Sequence, residues 1–112
     1  MDVKGWLEQA GEPVAETCFL PGDAPSLPYI VYLDRIEQGG ADSKNMTRRH
    51  ALTVERYSEL GADSTELEAL LDAQAYKYQK EKMWLSDEQC FMTAYYFDFT
   101  EKIGREIYVN RR

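Results

Sequence analysis

The segment CFMTAYYFDFTEK, residues 90–102, restricts the fold more than any other part of the chain. Phe91, Thr93, Tyr95, Phe97 and Phe99 alternate with Met92, Ala94, Tyr96 and Asp98. A period of two residues is the signature of a strand, with successive side chains on opposite faces. At a rise of roughly 3.3 Å per residue such a strand spans about 43 Å, long for a small domain. Left uncovered, an apolar strand of this kind would template aggregation. It must therefore lie inside a sheet or pair with a neighbouring subunit, with a bend or a projecting end.

The rest of the chain supplies partners. Val3, Trp6, Leu7 and Ala10 recur at helical spacing over residues 2–10, with Asp2 placed as an N-cap and Gly11 and Pro13 as a stop. VAETCFL, 14–20, reads as a weak strand, followed by a turn-rich stretch holding Pro21, Gly22, Pro25 and Pro28. Tyr29 to Arg35 reads as an inner strand, apolar on both faces at first. His50 to Tyr57 alternates, with Leu52 and Val54 inward. A second helix opens near Asp63, with either Asp63 or Ser64 as its cap, buries Leu67, Leu70 and Leu71, and ends near Gln74 or Ala75. Tyr76 to Leu85 reads as a partly exposed strand, turning through SDEQ into residues 90–102. The expected fold is one α+β domain over residues 1–112. A mostly antiparallel sheet of four to five strands packs with two helices. Residues 103–112 form a short strand, a C-terminal arm or a frayed end.

The polar segment from Glu37 to Arg49 is too long for a tight hairpin. It carries Lys44, Arg48 and Arg49 against Glu37 and Asp42, so it is locally basic in a chain of net charge -7. Two readings stand: a contact arm whose cations meet an acidic neighbour, or a hairpin tip without a role.

Charge and composition exclude several classes. An acidic chain is repelled by phosphate backbones and by anionic membrane surfaces. No apolar run approaches the roughly 20 residues that span a bilayer, and the start MDVKGWLEQAGE has neither the basic nor the apolar part of a secretion signal. The expectation is a protein made and kept in a cytoplasm. Cys18 and Cys90 then read as two buried thiols, with a disulfide between them left open.

Catalytic and metal motifs are missing. His50 is the single histidine, and the sequence offers it no specific partner, so it reads as structural or exposed. Glu66, Glu68 and Asp72 read as a solvated helix face, and Asp87-Glu88 is too short for a cation loop. Gly39-Gly40 lacks the phosphate-loop pattern. The aromatic strand could be a base-stacking platform only on a basic surface. No catalytic residue, cofactor or metal is expected.

Texture and element order carry a resemblance. The sequence runs from an amphipathic N-terminal helix through PSLPYIVYLD, a polar loop and RRHALTVERYSE to STELEALLDAQ, YKYQKEKMWLSDEQ and FMTAYYFDFTEKI. In this it resembles tail-completion and tail-terminator proteins of long-tailed phages and prophages, across residues 3–102. The resemblance implies a structural, non-enzymatic protein that forms a hexameric ring, caps the tail tube and joins it to the head connector. Its partners would be other copies of itself, the tube protein and the connector protein. Its place would be the tail or neck of the virion, after assembly in the host cytoplasm. A ring uses one patch against a different patch. The expected pair is Lys44, Arg48 and Arg49 of one subunit with Glu66, Glu68 or Asp72 of the next. Two alternatives share the resemblance or the composition: a head-completion adaptor, and a small intracellular dimeric binding module.

Overall fold

A computed structural model describes residues 2–39, 47–74 and 77–102. The order is α1 (Val3–Glu8), β1 (Val14–Glu16), β2 (Tyr29–Gly39), β3 (Thr47–Ser58), α2 (Thr65–Ala73), β4 (Gln79–Leu85) and β5 (Cys90–Lys102). The strands form one sheet in the order β1-β2-β3-β5-β4. Only β1 runs parallel to its neighbour; the other pairings are antiparallel. The fold is α+β, as the sequence predicts, and the long aromatic strand lies inside the sheet between β3 and β4.

Local chemistry sets the ends of the elements. The Asp2 carboxylate accepts a hydrogen bond from the Gly5 N–H at 2.9 Å and caps α1. Gly11 then leaves the helix at φ +87°, a conformation that costs glycine little. Of the two cap candidates for α2, Ser64 fills the position, its Oγ accepting from Leu67 N at 3.0 Å. β1 stops at Glu16 rather than Leu20, because Thr17 takes a left-handed φ of 68° and turns the chain off the sheet edge. Residues 17–28 then make the crossover that a parallel pair requires.

Both helices lie on one face. Leu7, Ile30, Leu52, Val54, Leu67, Leu71 and Tyr95 are the closed centre of the core, with Trp6 edge-on to Phe97 at 6.2 Å. Arg56 ties the connection after α1 to β3. Its Nε and Nη2 each donate to Glu12 at 2.9 Å, and its Nη1 donates to the Ala62 carbonyl at 3.1 Å. On the opposite face the 17–28 crossover covers one end, where Phe19 packs on Tyr29 and Tyr29 on Tyr57. The other end has no cover among the described residues.

Two expectations are corrected here. β2 and β3 reach into the segment read as a loop, pairing Glu37 with Arg49, Gln38 with Arg48 and Gly39 with Thr47. Residues 40–46, Lys44 among them, lie outside the described residues, as do Ala75, Tyr76 and the 103–112 segment. Cys90 is buried as expected, but Cys18 is exposed, because it lies on the crossover beyond the end of β1. Both are free thiols. No helix among the described residues is long and apolar enough to cross a membrane.

Candidate functional site

The end of the sheet away from α2 is a three-stranded ribbon of β2, β3 and β5. It carries two clusters of charge, one on each face.

On the helix face the cluster is buried. His50 is 3% exposed. Its Nδ1 lies 2.9 and 3.0 Å from the two carboxylate oxygens of Asp34, and its Nε2 lies 3.1 Å from Glu101 Oε1. The ring stacks on Phe99, with centroids 4.3 Å apart and planes within 5°. Each ring nitrogen thus faces a carboxylate, so the buried ring has a polar partner on both sides. Both nitrogens are occupied in this arrangement, so neither faces a space where a reacting group could sit. The structural reading of His50 fits this geometry. Its carboxylate partners were not legible, because they come from β2 and β5.

On the other face the cluster is wet. Arg35 Nη2 lies 3.7 Å from Glu37, Glu37 lies 3.9 Å from Arg49 Nη1, and Arg49 Nη2 donates to Asp98 at 2.7 Å. The signs alternate along the row. The bond to Asp98 and that charge raise the pKa of the Arg49 guanidinium above its ordinary value. Leu33 and Tyr96 border a shallow groove of about 290 Å³ beside this row, with Ala51 and Thr53 between them.

The expected interface residues separate in space. Arg48 and Arg49 are neighbours in sequence but project to opposite faces of the ribbon. Arg49 is already paired within the chain, whereas Arg48 has no ion pair among the described residues. On α2, Glu66 and Asp72 are exposed. Glu68 is engaged: it accepts from the buried Tyr95 hydroxyl at 2.6 Å and pairs with Lys80 at 2.7 Å. Burial and the bond to Glu68 push the Tyr95 hydroxyl pKa up. Lys80 and Lys82 both reach Asp63 at 2.6 Å, and Lys82 also donates to the Gly61 carbonyl. Those lysine bonds hold the Asp63 carboxyl below the usual carboxylate range. Sequence reasoning missed Arg35 and Asp98. The signal for them was present, as charges that interrupt the apolar runs of two strands.

No group of three or more His, Cys, Asp or Glu among the described residues is arranged to hold a metal ion. No protein-family model matches the chain, and no curated protein matches it.

Proposed function

We propose that this protein is a structural component of a phage or prophage tail neck, assembling as a ring that caps the tail tube and joins it to the head connector. The sequence resemblance supplies the class, and one structural observation supports it. Arg48 stands on the ribbon end without an ion pair among the described residues, while the acidic helix α2 packs over Tyr95, the β5 partner of Val54. The run from Val54 to Arg48 covers about 20 Å of strand. The two patches of one subunit are therefore apart, and a neighbouring copy can bring them together, as a heterologous ring contact requires. Glu66, which accepts from the Thr65 hydroxyl at 3.1 Å, and Asp72 are the carboxylates of that contact, neither in an ion pair among the described residues. α2 has Asp72 in its last turn and no basic residue there, so a cation from outside would complement its negative end.

The first test is the DNA flanking the gene. A connector adaptor on one side and an abundant tube protein on the other support the reading; metabolic or regulatory neighbours overturn it. The contact itself is tested by native mass spectrometry. Arg48→Glu should dissociate the ring, and adding Asp72→Lys should restore it. The alternative of a dimeric binding module draws on a different surface, the open sheet face.

A further inference from the structure

The open end of the helix-free face is too apolar at its centre and too ordered in its charges for a bare surface. Leu33 is 41% exposed and Tyr96 is 39% exposed. They share a row with Thr53, since Leu33 pairs with Thr53 and Thr53 with Tyr96. The next row is Arg35, Ala51 and Asp98, and the one after it begins Glu37, Arg49. β3 is thus the middle column, and opposite charges stand on either side of its small Ala51.

Within one chain the charges form an open row: Arg35, Glu37, Arg49, Asp98. Its ends are a guanidinium on β2 and a carboxylate on β5. A two-fold axis along β3 exchanges the β2 and β5 columns of two facing copies. Arg35 then meets Asp98 of the second copy, twice, and Leu33 meets Tyr96 of the second copy. Two open rows close into one ring of eight charges that alternate in sign. Facing sheets pack about 10 Å apart, a gap that an arginine and an aspartate side chain fill together.

We infer that two copies of this chain pair face to face through the open ends of their sheets, β3 on β3, about a two-fold axis. An unrelated partner of either net charge would meet both signs on this face, whereas a second copy carries the complementary row by symmetry. The contact is roughly 25 Å by 15 Å, at the small end of specific interfaces. The pair therefore dissociates on dilution. Two charged residues of β3 meet their own copies on the axis. Arg49 is already held by Asp98 and Glu37. Glu55, which accepts from the Tyr57 hydroxyl at 2.9 Å, is the unfavourable one. This pairing does not rest on the ring reading, since it uses neither Arg48 nor Asp72.

The test is sedimentation velocity over a concentration series, with Arg35→Asp and Asp98→Arg made separately. The wild type should dimerise reversibly. Each variant alone should dimerise at least tenfold more weakly, because the reversed charge faces a like charge twice. An equimolar mixture of the two should recover dimerisation to within a few-fold of wild type, because the mixed pair has opposite charges at both contacts. Both positions are exposed, and unchanged circular dichroism shows that each variant folds. The inference is overturned by a wild type that stays monomeric at hundreds of micromolar. It is equally overturned by variants that associate like wild type, or by a mixture that recovers nothing. If the wild type forms a ring, a ring indifferent to both variants overturns the pairing and leaves the Arg48 contact standing.

Discussion

Asp34, His50 and Glu101 lie on one face of β2, β3 and β5; Arg35, Arg49 and Asp98 lie on the other. The same three strands thus carry two ionic clusters, back to back and one residue out of phase. In the inner one His50 and Asp34 are buried beside Phe99, with Glu101 partly exposed at its edge, while the outer one is about half exposed. The contrast separates two uses of charge. A buried cluster is costly to break, because removing one member strands the others away from water. A wet cluster adds little to stability, and its pattern is available to a partner.

Three measurements test that separation. The largest effect belongs to His50→Ala, which leaves the Asp34 carboxylate buried without its donor. The expected cost is about 3–5 kcal/mol, or a fall in Tm of at least about 12 °C for a domain of this size. A thermal melt that shifts by only a few degrees would show that the inner cluster is not the anchor described here. A smaller effect belongs to Asp63→Asn in the lysine clamp on β4. Asp63 has a lowered pKa in the folded chain, so its contribution is present above the ordinary value of 3.8 and is lost as pH falls through the folded value. The variant should be less stable at neutral pH by under about 1 kcal/mol, since the site is solvent-screened. The gap in Tm should close in acid, and a gap that persists there would assign the loss to packing instead. The smallest effect belongs to Arg49→Gln, which should leave Tm unchanged while weakening self-association. A clear loss of thermal stability would erase the distinction between the two clusters.

Much of this fold is written locally. Asp2 and Ser64 sit where short polar side chains cap helices, Gly11 where a helix must stop, and residues 90–102 keep their alternation for the whole of β5. The clusters are less legible because they arise from register. His50 meets Asp34 and Glu101 only because β3 pairs with β2 and β5 at those rungs, and no spacing along the chain encodes that. The polar run from Glu37 to Arg49 reads as a loop by composition, yet its ends are strand, since exposed rungs of a ribbon need no apolar residues. Arg48 and Arg49 look like one basic patch in sequence, and the pleat puts them on opposite faces.

The strand order has a consequence during synthesis. β3 emerges from the ribosome well before β5, its second neighbour, and β4 has no place in the sheet until β5 lies between them. The β2–β3 hairpin therefore waits with a full-length open edge while α2 and β4 are translated. That nascent intermediate shows a long, unpaired backbone row to whatever is nearby, and a newly made copy on the same messenger is nearest. Arrival of β5, docking as a hairpin with β4, is the step that ends this exposure. Truncations that remove residues 90–102 should therefore accumulate in inclusion bodies rather than as a smaller folded protein.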